Sequence, residues 1–183
     1  MSHRNYLSLF FNHACIIICI LLVSFQLKAV EVGGDSNTGA GLPIFAEPYV
    51  GDVARASPDQ AQIIFYRPRG SLKNNAATIY VNRMYHTSLV AGGYSSLCLR
   101  PGMTEIGLRE MKLSEGPKDG QDFISQLLTH GGQTQFVRVK DGGRTGLSLQ
   151  QVSPKEAKKD LPATRRQIHT RSRVVGSSPS CGE

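Results

Sequence analysis

Short apolar runs of two-residue period, punctuated by glycine, proline and asparagine, dominate the chain from Ala61 to Arg109. Gln62–Tyr66 is β-branched and aromatic and stops at Pro68, which cannot donate to a ladder. Thr78–Val81 alternates, with Ile79 and Val81 on one face and Thr78 and Tyr80 on the other. Asn82-Arg83 separates it from Tyr85–Val90, a polar pair that predicts a tight hairpin although Asn-Arg is poorer turn chemistry than Asn-Gly. Gly92-Gly93 marks the next turn, Tyr94–Leu99 is a fourth strand closed by Pro101-Gly102, and Thr104–Arg109 alternates again. Five short strands about ten residues apart predict an all-β sandwich or barrel, with their apolar residues in its core.

Beyond a polar loop at 112–121, Asp122–His130 fits both helical and strand spacing. It is read as a strand because Gly131-Gly132 then turns it into Thr134–Lys140, the clearest strand in the chain. Asp141–Arg144 turns back into Thr145–Val152, with Leu147 and Leu149 on one face. Ser153-Pro154-Lys155-Glu156 is a helix start, serine capping, proline first and glutamate three beyond the cap; the helix is expected to run to about Leu161 and stop before Pro162. Thr164–Val175 alternates in part and is expected as a final edge strand whose arginines discourage aggregation, followed by a loose end from Gly176 that is tied down only if Cys181 is bridged. The expected fold is a small antiparallel β-sandwich of about 7–8 strands over residues 58–153. Residues 154–183 add one short helix, a basic edge segment and a tail.

The first 29 residues read as an address. Arg4 precedes the apolar run Ala14–Phe25, and Gln26-Leu27-Lys28-Ala29 offers Leu and Ala at the positions signal peptidase reads. Twelve residues fall short of the roughly 20 a spanning helix needs, so a cleaved signal peptide is expected, with an uncleaved anchor as the alternative. Neither Cys15 nor Cys19 suits a lipobox. Residues 30–57, with GGDSNTGAG and Pro43 and Pro48, read as a flexible linker whose sparse apolar set (Leu42, Ile44, Phe45, Tyr49, Val50) is expected to dock on its own domain.

Losing the signal leaves two cysteines, Cys98 and Cys181, and in an exported chain they predict one disulfide; a buried free Cys98 beside a reactive Cys181 is the alternative. Two thiols without a nearby histidine pair do not make a zinc site. The net charge of +7 is unevenly placed. From Val30 to Pro154 bases and acids nearly balance, 12 against 11, whereas Lys155, Lys158, Lys159, Arg165, Arg166, Arg171 and Arg173 face only Glu156 and Asp160. Arg165, Arg166, Arg171 and Arg173 are therefore the candidate contacts for a partner's carboxylates, lipid phosphates or an anionic glycan. Nucleic acid suits an exported chain poorly.

Catalytic signatures are missing. His86, His130 and His169 lie far apart and form no metal-binding motif, and no serine sits in a nucleophile elbow. No phosphate-binding loop occurs, and the glycine pairs read as hairpin turns. No cofactor and no catalytic residue is expected.

The segments FYRP (Phe65–Pro68), YVN (Tyr80–Asn82) and HTSLVAGGYSSLCLRPG (His86–Gly102) resemble a domain-of-unknown-function family of bacterial envelope proteins. They are also similar to PEGA-type modules and to segments that precede OmpA-type domains in some Gram-negative proteins. The resemblance covers about Gln60 to Val174, departing where Arg83 replaces a common hairpin glycine, and no OmpA-type domain is expected after Glu183. It implies a small envelope β-sandwich, periplasmic or outer-membrane-associated, that supports an assembly through a protein partner. A binder of anionic envelope polymer or lipid is the alternative.

Overall fold

A computed structural model describes residues 44–51, 56–70, 75–112, 116–117, 123–142 and 146–181. The expected signal peptide, the linker up to residue 43 and much of the loop at 112–121 lie outside them. The strands are β1 (Phe45–Pro48), β2 (Ala61–Tyr66), β3 (Asn75–Val81), β4 (Met84–Leu89), β5 (Gly93–Leu99), β6 (Gly102–Lys112), β7 (Gly116–Pro117), β8 (Phe123–Thr129), β9 (Thr134–Asp141), β10 (Leu147–Val152) and β11 (Arg165–Gln167). Helix α1 (Pro154–Asp160) continues into a 3-10 turn, Leu161–Ala163. The described residues form an all-β sandwich with one short helix. One sheet runs β1-β11-β5-β2-β9-β10, and the other β4-β3-β6, with β7 and β8 both pairing with β6.

Strand β2 sits at the middle of the six-stranded sheet, antiparallel to β5 and parallel to β9, and all six of its residues are buried. A strand covered on both faces reads as a continuous apolar run. Ile63 and Phe65 point inward and meet Ile79, Val81, Ile106, Leu108 and Leu127 of the facing sheet. Ile64 and Tyr66 point outward and meet Ala157 and Leu161 of the helical segment. The capping box forms as the sequence predicts: Ser153 Oγ accepts from Glu156 N, and Glu156 Oε2 accepts from Ser153 N. A polar pin adds to this cover. Tyr66 Oη donates to Asp160 Oδ2 at 3.1 Å, Arg138 Nε donates to Tyr66 Oη, and Arg138 pairs with Asp160 at 2.6 Å.

The Asn82-Arg83 hairpin adopts φ of 50° and 64° at its two residues, the left-handed pair of the tight turn that matches strand twist. Asn82 tolerates this conformation, and its Oδ1 accepts from Glu105 N on β6 at 3.0 Å. Residues 123–129 form strand β8, with Ser125 and Leu127 inward and Ile124 and Leu128 outward.

Several expectations require correction. The sandwich is mixed rather than purely antiparallel, because β9 and β11 run parallel to β2 and β5. Phe45–Pro48, expected within a flexible linker, is a strand paired with β11, and Tyr49 stacks edge-on against Tyr94 at 5.3 Å. Residues 164–175 do not form a long edge strand. Only Arg165–Gln167 pair, and β1 covers them on the outside. After Gln167 the chain leaves the β5 edge and crosses to the other sheet, where Thr170 Oγ1 meets Thr87 Oγ1 at 3.0 Å and Arg173 N donates to Tyr85 O. Residues 176–181 are tied down, as expected for a bridged Cys181, and return to β5 at Cys98.

Candidate functional site

The return is fastened twice. Ser178 and Cys98 exchange backbone hydrogen bonds of 2.8 and 3.0 Å, and Cys98 and Cys181 form the predicted disulfide, with Cα atoms 5.4 Å apart. Ala56 packs on both sulfur-bearing residues. The departure is fastened by Gln167, a buried side chain whose Oε1 accepts from Val90 N at 2.9 Å and whose Nε2 donates to Ser88 O. It fits only because residue 93 is glycine: a Cβ there would lie 2.6 Å from Gln167 Oε1.

Between these anchors the chain bridges the open side of the sandwich, and a cleft of about 370 Å³ lies beneath it. His86, Ser95, Ser96 and Leu97 line one wall; Arg166, Ile168, Thr170, Arg171, Val174 and Ser178 contribute to the other. Among the described residues, none of those lining the cleft is acidic. Of the four candidate arginines, the fold brings Arg166 and Arg171 to this cleft. Arg165 turns to β1, its Nε donating to Ala46 O, and Arg173 is exposed without lining the cleft. Arg166 also pairs with Glu47 at 3.2 Å, an exposed contact of small energy.

His86 is buried against the Phe65 ring, 5.4 Å between centroids, and its Nε2 lies 3.1 Å from Ser95 Oγ. Its Nδ1 has no protein partner among the described residues. Burial lowers its pKa to about 4, so the ring is neutral at pH 7. A serine beside an imidazole is the start of a nucleophile pair, but this ring lacks an orienting carboxylate and is a weak base. His130 and His169 are exposed, and among the described residues no group of three or more His, Cys, Asp or Glu is placed to hold a metal ion.

A second surface is the outer face of the smaller sheet. Met103 pairs with Leu128 and Gly107 with Ile124 across β6 and β8, leaving Met103, Ile124 and Leu128 between 51% and 62% exposed. The same face carries Tyr80 over Gly107, Tyr85 edge-on to Tyr80 at 6.2 Å, and the Arg109 guanidinium 5.7 Å from the Tyr80 ring centre. The pattern signals half of this surface, because Ile124 and Leu128 fall out of phase with the core once β8 is known to be a strand. Nothing in the sequence reveals that no layer among the described residues covers them.

Arg67, within the FYRP segment, is the largest fully buried side chain. It donates to Asn75 O at 2.7 Å, Asn75 Oδ1 at 2.6 Å and Asp141 Oδ1 at 3.1 Å, while Asn75 Nδ2 donates to Glu110 Oε1. The network ties β3 and β6 to β2 and β9 at one end of the sandwich, so its role is structural. Only the fold shows that this arginine is buried.

Comparison of the chain with protein-family models, with curated proteins and with solved structures returned no match.

Proposed function

We propose that the protein is an exported, non-catalytic β-sandwich module that supports a cell-envelope assembly, periplasmic or outer-membrane-associated, through protein–protein interaction. The observation that carries this reading is the outer face of the smaller sheet. Methionine, aliphatic, tyrosine and arginine side chains, the types enriched at interfaces, gather there beside β8, an edge strand without a charged residue. Natural edges are usually blunted by charge, and this one is not. The apolar N-terminal run and the disulfide support the envelope placement, because such bonds persist in oxidising compartments.

Two measurements test the reading. The intact mass of the protein from the periplasmic fraction should correspond to a chain starting near Val30, with thiol label entering only after reduction. Crosslinking in the native envelope should give a discrete complex with the wild type. The double variant Ile124→Lys/Leu128→Lys should abolish that complex while keeping the oxidised mass and the melting temperature. A wild type that stays monomeric, or a double variant that keeps the complex, overturns the proposal.

Binding of an anionic polymer or lipid through Arg165, Arg166, Arg171 and Arg173 gains less from the geometry. Two of the four share the cleft and the other two do not.

A further inference from the structure

The cleft has a second property besides its charge. Strand β11 pairs with β5 at Gly93 and Tyr94, and the next pairing on that side is at Cys98. Among the described residues, the β5 edge from Ser95 to Leu97 carries no strand partner there, because the chain has swung across to β4; the Ser96 side chain, not its backbone, donates to Pro179 O at 2.6 Å. Backbone groups alternate sides along a strand. Cys98 directs both its N–H and its C=O to this edge, so Ser96, two residues earlier, directs its own pair the same way, into the gap. A ladder interrupted for three residues, roofed by an anchored crossover and flanked by arginines, is a receptor for extended backbone.

We propose that the cleft binds a short extended peptide ending in a free carboxylate, adding it to β5 at Ser96 and placing the carboxylate by Arg171, with Arg166 alongside. The ligand class follows from three features together. The unpaired backbone edge selects another backbone, as in strand addition to a sheet edge. Two arginines with no acid among the lining residues select a negative end. Leu97, Ile168 and Val174 supply apolar wall for small side chains. A volume of about 370 Å³ lies at the small end of ligand sites, room for a few residues rather than a folded segment. The site is separate from the outer face of the smaller sheet and stands whether or not that face binds a protein.

The test uses the full mature chain with its disulfide intact, titrated by NMR with the peptide acetyl-Ala-Val-Ala, its C-terminal amide, and sodium acetate. The free acid should bind saturably and shift the Ser96 amide and the His86 ring. The amide, or the variant Arg171→Gln, should weaken binding by about tenfold or more, the size of one charge-assisted contact. Arg165→Gln and Ile124→Lys should bind as the wild type does. Failure of the free acid to saturate, equal affinity for acid and amide, or shifts reproduced by acetate at the same concentration would each overturn the proposal, the last by reducing the cleft to a bare anion site. The Cys98–Cys181 bond is checked by mass in every variant, so a misfolded chain is recognised and replaced by Arg171→Lys. That variant should keep the charge, bind between wild type and Arg171→Gln, and overturn the proposal if it binds no better than the glutamine variant.

Discussion

In the six-stranded sheet all of β2 is buried, whereas in the sheet facing it Met103, Ile124 and Leu128 stand more than half exposed. Both sheets contribute equally to the core between them, and the difference lies on their outer faces. The larger sheet is closed by α1 and the 3-10 turn, with Ala157 and Leu161 over Ile64, Tyr66 and Phe136. The smaller has no such cover among the described residues. Apolar residues pointing outward therefore mean different things in the two sheets. Under the helix they hold the fold, and opposite it they are left exposed among the described residues.

Four substitutions or conditions test that contrast, from the largest effect down. Replacing Cys98 and Cys181 together by alanine should cost about 4 kcal/mol in denaturant unfolding, since the bond spans 83 residues and restrains the crossover above the cleft. A loss below about 1 kcal/mol would mean that the crossover holds without it. Leu161→Ala should cost about 3 kcal/mol, the usual penalty for emptying a fully buried leucine site. An effect no larger than that of a surface change would remove the distinction between the two outer faces.

Acid should act through His86. Its pKa is about 4 in the folded chain against an ordinary 6.5, because burial disfavours the charged ring. The unfolded chain thus takes up the proton first, and stability is full above pH 6.5 and falls as the pH drops from 6.5 to 4. The loss from this group approaches about 3 kcal/mol, and His86→Phe should flatten the stability profile over that window. A variant with the wild-type slope would assign the acid sensitivity to other groups. Ile124→Lys should leave stability within about 0.5 kcal/mol of the wild type, as exposed substitutions do. A clear destabilisation would show that the face is closed within the chain itself.

Much of the fold was legible because strands announce themselves locally. The alternation of Thr78–Val81, the Gly92-Gly93 and Pro101-Gly102 turns, and the Ser153–Glu156 capping box each act over a few residues, and each appears where the sequence places it. Ile63-Ile64-Phe65-Tyr66 read as a strand from its β-branched and aromatic residues, although not what lay on either side of it. The cysteine pair was legible for a different reason: if the apolar N-terminal run is removed, the two thiols that stay have one possible internal partner each.

The candidate site was legible only as charge. Arg166 and Arg171 were visible as bases, but their convergence depends on Gln167 reaching Val90 across 77 residues and on Cys181 reaching Cys98 across 83. Ser96 carried no signal at all, because an interrupted ladder belongs to the path of a second chain segment and not to the strand that bears it. Arg67 carried no sign of burial in the sequence, and its buried guanidinium is held by Asn75 of β3 and Asp141 of β9. The sequence by itself determined the β-class, the central strands and the helix start, all set by local stereochemistry, and left the disulfide as one of two readings. Tertiary structure alone decided which strands run parallel, which outward face is covered and where the β5 edge is left open, because those depend on contacts between residues far apart in the chain.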